Sequence, residues 1–490
     1  MDFNRLWTLA VAVFLVAMVF LSAFSRSVPI AIYAVQGLSA LLLVLGLMRL
    51  LPGLPSRQAA YGLFILLFGI ALIASQLVPL PPDVWQAMPG RAMITESFAA
   101  SGVNAGWMPL SLAPRQTTKV LSAILPAVAI FVATLSLDRK HLKYVALLLL
   151  VIGTGNAILG LAQKFQGSAG GLLWSTNAVP GTTSGMVANR NHFAALMYVM
   201  IPLLVALGVG LWRSRRVNGF ISAAFTLAMA SVFIIGLGAS GSRAGIILAM
   251  VAVVFSAFLA AGGNAGSSRV GATSKWLVGI IAIAFFIIAQ FGLVAVLRLA
   301  ETDPVNDYRN IIADVSWQTM VEMLPFGSGF GSFVETYQMF ERPSTMVAGY
   351  INQAHNDWLE IAIEGGLPAI FGLLCFSLWF VVSNFKLWRH ANSSPEDLIL
   401  RAAGISAFLL LAHSLVDYPL RAPLIMVWFG FFCGLVALGP SALQISRRKF
   451  RSESPQEVAK RAVAMPVTAP IEPRKGPFFI KKEPQLPENS

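Results

Sequence analysis

The chain has 490 residues, of which 57% are hydrophobic and only 12% are charged, and its mean hydropathy is +0.73. About 25% of the residues of an average soluble protein are charged, so this composition excludes a soluble globular protein. The formal net charge of +13 does not indicate nucleic-acid binding, because the basic residues of membrane proteins collect in cytoplasmic loops. Cys375 and Cys433 both lie in apolar segments, which excludes a disulfide framework and argues against a thiolate metal site.

Apolar stretches that could cross a bilayer recur along the chain. A spanning helix needs about 20 mostly apolar residues, and twelve segments meet that criterion. The sequence therefore predicts an all-α polytopic membrane protein. The first segment is longer than a signal-peptide core and no cleavage site follows it, so we expect it to be retained. The predicted spans are 6–24, 28–48, 59–80, 119–137, 143–163, 193–212, 219–239, 244–262, 276–297, 367–385, 399–416 and 422–440.

The distribution of Lys and Arg predicts how these spans are oriented. Short connections rich in basic residues alternate with longer connections that hold few, and short basic loops face the cytoplasm. Both termini are then cytoplasmic, and the longest polar interruption, 298–366, faces outward. From residue 441 the chain is polar and rich in proline, so 441–490 is predicted to be a disordered cytoplasmic tail that follows a transmembrane domain of 1–440.

Arg190, Arg243 and Arg309 are predicted to lie at the outer membrane boundary, each within a cluster of small polar residues. An arginine near the bilayer costs several kcal/mol unless it is paired or reaches water. Its planar guanidinium binds phosphate in bidentate fashion, and three that converge would neutralise a pyrophosphate. Alternatively, each one extends separately to the lipid headgroups.

His355 precedes a short predicted helix. We expect Asp357 to cap this helix, Glu360 to occupy the capping-box position, and 365–366 to end it. Free N–H groups at a helix N-terminus favour anions, and an imidazole there can take a proton near neutral pH. His355 is therefore a candidate base, although a capping role is also compatible with this position. His192 is a second candidate base, with a structural role as the alternative.

Two other features carry weaker hypotheses. The glycine-rich stretch 327–331 is loosely similar to a phosphate-binding loop, but no strand–loop–helix context surrounds it and a flexible turn fits equally well. Asp303 and Asp307 lie beside a proline, and no third ligand is spaced to complete a metal site, so we interpret them as part of a solvated loop.

Taken together, these motifs resemble those of the O-antigen ligase and polymerase superfamily of bacterial envelope glycan enzymes. The resemblance covers roughly 181–372, and the order and membrane placement of the motifs are fairly specific to the superfamily. It implies a multi-helix glycosyltransferase in the bacterial inner membrane, with 298–366 as a periplasmic catalytic loop containing short helices. The motifs are 189–194, 240–245, Arg309 followed by Trp317, 325–333 with Tyr337, and 355–360 with 364–366.

The resemblance also implies roles for particular residues. Arg243 and Arg309 would bind the diphosphate of an undecaprenyl-pyrophosphate-linked glycan donor, and His355 would serve the acceptor hydroxyl. The arginines could neutralise the leaving group without a metal or cofactor. Further substrate-binding residues would be Asn189, Arg190, Tyr337, Asn356 and Glu360.

The acceptor is either lipid A–core, in a ligase, or a growing polysaccharide, in a polymerase. We favour ligation because the superfamily is usually known by that activity. A transporter or flippase of lipid-linked sugars is an alternative, but the predicted spans hold few polar groups at mid-depth beyond Gln36, Asn156 and Gln290. A third possibility is a metal-dependent lipid-phosphate glycosyltransferase with Asp83 and Glu96 of the 81–118 loop as its acidic pair.

Overall fold

The structure is a computed structural model that describes residues 2–24, 28–167, 183–214, 218–261, 304–346, 351–390 and 394–440. The predicted span 276–297, the start of the predicted large loop at 298–303 and the tail 441–490 lie outside the described residues.

Helices dominate the described residues, and one short two-stranded sheet accompanies them. Strand β1 (Pro79–Leu80) pairs antiparallel with β2 (Met108–Pro109). In chain order the helices are α1 (Phe3–Phe24), α2 (Pro29–Leu50), α3 (Arg57–Ser75), α4 (Pro82–Gln86), α5 (Ala92–Ser101), α6 (Pro114–Ala123), α7 (Leu125–Thr134), α8 (Leu142–Gln166), α9 (Arg190–Tyr198), α10 (Met200–Ser214), α11 (Gly219–Ser240), α12 (Arg243–Ala261), α13 (Pro304–Met323), α14 (Phe333–Phe340), α15 (Asp357–His390), α16 (Pro395–His413) and α17 (Pro423–Leu438).

Within the described part of the chain, nine helical segments are long and apolar enough to cross a membrane. They are α1, α2, α3, α6 with α7, α8, α9 with α10, α11, α12 and α15. The prediction of an all-α polytopic membrane protein is therefore confirmed. Two further predicted spans, 399–416 and 422–440, coincide with α16 and with the shorter apolar helix α17.

The interior of the bundle is formed mainly by α7, α10, α16 and α17, whose side chains are almost all buried. The peripheral helices instead expose large apolar side chains. On α15, for example, Phe371, Leu374 and Leu378 are each at least 60% exposed and recur at the three- and four-residue spacing of one helical face. Such a face suits contact with lipid, because no backbone polar group of the helix is left unpaired there.

The two ends of the bundle differ in how their connections are held. At one end Arg139 pairs with Asp397 at 3.6 Å, and the Trp379 indole donates to the Gln58 carbonyl at 2.9 Å. At the opposite end the 76–113 segment, which includes α4, α5 and the β1–β2 sheet, packs on the turn between α13 and α14. The Leu112 N–H donates to the Ser328 carbonyl at 2.8 Å.

The glycine-rich turn is a structural support, and the idea that it cradles phosphate is wrong. Gly327, Gly329 and Gly331 have positive φ angles of 81°, 105° and 84°, which glycine adopts readily. Each N–H of the turn already donates to a protein acceptor, so none remains for a phosphate. The bonds run from Gly327 to the Met323 carbonyl, from Ser328 to the Ile363 carbonyl, from Gly329 to the Glu364 carbonyl, from Phe330 to the Gln76 side chain and from Gly331 to the Glu364 carboxylate.

A kink divides α15 where the sequence places 365–366. Gly366 has φ 59° and ψ −154°, which separates a short outer helix from the long apolar span and confirms that prediction. The predicted cap is wrong, however. The Asn356 side chain accepts the Leu359 N–H at 3.1 Å, whereas the Asp357 carboxylate accepts the Ser414 hydroxyl at 2.8 Å. The Asp357 carboxylate instead contacts a segment that lies far away along the chain, and local sequence does not reveal such a contact.

Candidate active site

A cavity of about 470 Å³ opens between α13, the start of α15 and the α16–α17 connection. One part of its wall is polar and another part is apolar. The polar lining residues are Arg309, Asn310, His355 and Asn356, and the apolar ones are Ala313, Ala354, Leu359, Leu415 and Val416. The volume falls in the range typical of small-molecule sites. The structure therefore brings predicted residues Arg309, His355 and Asn356 to one cavity.

His355 is held in an unusual backbone conformation at the edge of this cavity. Its φ of 52° lies in the left-handed region, which costs a residue other than glycine about 1–3 kcal/mol. Its Nδ1 lies 3.3 Å from Oδ1 of Asp417, and its ring meets Tyr418 edge-on with centroids 5.0 Å apart. The imidazole is thus fixed from two sides by the α16–α17 connection.

Asp417 is buried, and polar side chains from three other positions surround its carboxylate. Its Oδ2 accepts the Asn191 amide at 2.6 Å, and His413 Nε2 lies 3.9 Å from the same oxygen. Burial alone would raise the pKa of the Asp417 carboxyl. The hydrogen bond from His355 and the nearby His192 and His413 outweigh burial and lower that pKa well below its usual range. Asp417 is therefore an anion that keeps the proton of His355 on Nδ1, which leaves Nε2 able to accept one.

Helix α9 brings the 189–194 motif to the cluster around Asp417. Asn189 caps α9 by accepting the Asn191 N–H at 2.8 Å, and the Asn191 side chain then reaches Asp417. The His192 ring meets Tyr418 edge-on with centroids 5.3 Å apart, whereas Arg190 is exposed. Asn191 and His192 are thus the residues of this motif that contact the cluster around Asp417, and a substrate-binding role for Arg190 stays a prediction.

Arg243 begins α12 and is half-buried, but it does not line the cavity. Helix α12 packs closely on α9: a Cβ added to Gly245 would lie 2.5 Å from the Cβ of Ala194. Arg243 therefore starts a helix beside the element that contacts Asp417. A role for Arg243 in binding the donor stays a prediction.

Two of the predicted substrate-binding residues are buried and contact other groups of the protein. Tyr337 is buried on α14 against Phe333, and burial, aided by Glu341, raises the pKa of its phenol to about 12. Glu360 is buried too, and its carboxylate accepts the Ala354 N–H at 2.9 Å and pairs with Arg421 at 3.1 Å. Neither residue lines the cavity.

Segment 413–421, which supplies Asp417, Tyr418 and Arg421, is not among the sites predicted from the sequence. The sequence nevertheless contains a signal that points to this segment. His413 and Asp417 stand four residues apart at the end of a predicted span, and a carboxylate at that depth is costly unless a partner neutralises it. That cost predicts a partner from another part of the chain.

Acidic side chains bear on whether the protein could hold a metal ion. In the part of the chain that the structure describes, no group of three or more His, Cys, Asp or Glu side chains is arranged to hold a metal ion. Asp83 on α4 and Glu96 on α5 are both exposed. Asp303 lies outside the described residues.

Residues 227–374 match the family model of O-antigen ligase. The fold and this match together define a multi-pass membrane protein of the glycosyltransferase-like class. This match confirms the resemblance to the O-antigen ligase superfamily found in the sequence, and the matched range contains Arg243, Arg309 and His355. No curated protein matches the chain.

Proposed function

We propose that the protein transfers a glycan from undecaprenyl pyrophosphate to a hydroxyl group of lipid A–core on the periplasmic face of the bacterial inner membrane. The observation that carries this proposal is the shared cavity: Arg309 and His355 both line it, and Asp417 contacts the histidine at 3.3 Å. A cation and an oriented base are the two groups that displacement of a diphosphate by a hydroxyl requires.

His355 acts as the base. The acceptor O–H transfers its proton to Nε2 while the acceptor oxygen forms a bond to the anomeric carbon. The bond between that carbon and the diphosphate oxygen breaks, and its electron pair leaves with undecaprenyl pyrophosphate. Asp417 stabilises the imidazolium that results, because its buried carboxylate stays anionic. A positioned base of this kind contributes about 10²–10⁴-fold to the rate.

Arg309 compensates the charge of the leaving diphosphate. A guanidinium offers a planar fork of donors that matches two phosphate oxygens, and it remains charged at every physiological pH. We assign a supporting electrostatic role to Arg243 and to Arg190, which begins α9 and is exposed. The apolar wall formed by Leu359, Leu415 and Val416 suits the first isoprene units of the lipid carrier.

The test is reconstitution in proteoliposomes with a lipid-linked oligosaccharide and two acceptors, lipid A–core and free repeat unit. Product on lipid A–core supports ligation. Product on the repeat unit alone identifies the polymerase of the same superfamily, and no product on either overturns the transferase proposal. His355→Ala and Arg309→Ala are run alongside, and full turnover by both would overturn the site assignment.

Two further experiments test the other functions that the sequence allows. Turnover that persists in a chelator argues against a metal-dependent enzyme built on Asp83 and Glu96. In cells, Arg243→Ala should let the donor accumulate on the outer leaflet, because flipping precedes transfer. Donor stranded on the cytoplasmic leaflet would instead identify a flippase.

A further inference from the structure

Arg421 lies beside the cavity without lining it, and its guanidinium contacts three carboxylates of the short outer helix of α15. Its Nη2 is 3.1 Å from Glu360 and 3.1 Å from Glu364, and its Nε is 3.6 Å from Asp357. The three carboxylates are buried, and they recur at helical spacing on the face of α15 that meets the α16–α17 connection. One cation therefore joins two separate segments of the site.

Each carboxylate also holds a second part of the structure. Glu360 accepts the N–H of Ala354, the residue immediately before His355, at 2.9 Å. Glu364 accepts the Gly331 N–H at 2.9 Å, which fixes the glycine-rich turn. Asp357 accepts the Ser414 hydroxyl at 2.8 Å and the Leu420 N–H at 3.4 Å, which fixes both ends of the α16–α17 connection.

The electrostatics explain why an arginine stands at this position. Burial would lower the pKa of Arg421, but the carboxylates of Glu360, Glu364 and Asp357 outweigh it and raise that pKa above its ordinary value. The guanidinium thus stays charged and offsets carboxylates that would otherwise be buried without compensation. A lysine ammonium is a point charge and cannot bridge three carboxylates as a planar fork does.

We propose that Arg421 is a positioning residue for His355. It acts on the histidine from both sides: Glu360 fixes the backbone before His355, and the 417–421 turn carries Asp417 to the imidazole. The strained backbone of His355, with φ 52°, needs such support because an unsupported residue would relax to an ordinary conformation. This inference rests on the proposed function, in which His355 is the base.

The kinetic test compares Arg421→Lys and Glu360→Gln with the wild type in the proteoliposome assay. Arg421→Lys should lower kcat by about 10²-fold, since a displacement of about 1 Å at a catalytic group costs that much. The KM for the donor should stay within about twofold, because Arg309 and the cavity wall are unchanged. Glu360→Gln should lower kcat less, since its amide oxygen still accepts the Ala354 N–H.

A matched control separates positioning from the general loss of a buried ion pair. Arg139 pairs with buried Asp397 at 3.6 Å at the other end of the bundle, where no hydrogen bond leads to His355 among the contacts described. Arg139→Lys should leave kcat unchanged. An equal fall of kcat in both lysine variants, or an unchanged kcat in Arg421→Lys, would overturn the proposal.

A second measurement observes the environment of His355 directly and does not require turnover. A cryo-EM structure of Arg421→Lys should show that the distance between His355 Nδ1 and Asp417 Oδ1, which is 3.3 Å in the wild type, has lengthened, and Arg139→Lys should keep it. An unchanged distance in Arg421→Lys refutes positioning by Arg421. A lengthened distance in a protein whose wild type turns over no acceptor would refute the proposed function alone.

Discussion

At the scale of single residues, the contact between His355 and Asp417 should control the rate of proton transfer. We expect Asp417→Asn to lower kcat by about 10–10³-fold, less than or equal to the loss in His355→Ala. The asparagine keeps the shape of the side chain and removes the charge that stabilises the imidazolium. The measurement is kcat in the proteoliposome assay, and a KM that rises at constant kcat would contradict this role.

The pH dependence of the same pair follows from the direction of one pKa shift. Because the pKa of Asp417 is lowered in the folded protein, the stability it contributes is present above its unfolded value of about 3.9 and is lost only as pH falls through the lower folded value. Asp417 is therefore ionised across the working range. The difference in unfolding free energy between the wild type and Asp417→Asn should stay constant from neutral pH down to about pH 4 and shrink below it. Chemical unfolding in detergent at a series of pH values measures this difference, and a difference that already shrinks above about pH 5 would contradict the lowered pKa of Asp417.

Arg309 supports a second prediction at this scale. Arg309→Ala should lower kcat/KM by about 10²–10³-fold, because it removes a charged donor from the developing diphosphate. Arg309→Lys should recover part of the loss, since a point charge remains but bidentate geometry does not. Arg342, an exposed arginine that donates to Gln318 at 3.0 Å, provides the control. Comparable losses in Arg342→Ala would contradict a specific role for Arg309.

At the scale of elements, the close contact between the glycine-rich turn and the α15 kink sets the shape of the site. Gly366→Ala should destabilise the protein through two effects, each about 1–3 kcal/mol. The first is a strained φ of 59°, and the second is a Cβ 2.3 Å from the Pro325 carbonyl oxygen. Gly167→Ala has nearly the same backbone angles, φ 65° and ψ −156°, with nothing within 4 Å, so it carries only the first effect. Thermal unfolding in detergent should show the larger fall in Tm for Gly366→Ala, and equal falls would exclude the steric contact.

The elements also show which parts of the site the sequence could predict. The glycine pair that ends the outer helix and the position of His355 just before that helix are local features, so local rules recover them. The partner of His355 is 62 residues away, and no periodicity links the two positions. The same non-locality explains the wrong assignment of the cap: Asp357 has the right spacing for capping, but Ser414 and Arg421 take its carboxylate.

At the scale of the whole molecule, hydropathy predicted the architecture well because the bilayer demands long apolar helices. The predicted ends of the spans were less accurate where a polar segment follows the span. The third span was predicted to run to residue 80, but α3 ends at Ser75 because Pro79 enters the small sheet. Hydropathy contains no information about which arginines converge. It placed Arg190, Arg243 and Arg309 on one side, and only Arg309 lines the cavity.

Orientation is the remaining prediction at this scale, and it decides which compartment the cavity faces. The two connections that flank α3 must lie on opposite sides of the membrane if α3 spans it. Leu54 in the first connection is 43% exposed and Trp107 in the second is 67% exposed, so both positions are open to a label. With Cys375 and Cys433 replaced by alanine, Trp107→Cys should react with a membrane-impermeant maleimide in spheroplasts. Leu54→Cys should react only after the membrane is permeabilised, because basic short loops face the cytoplasm. The reverse pattern would turn the Arg309–His355 cavity toward the cytoplasm, where a periplasmic ligase could not meet its acceptor.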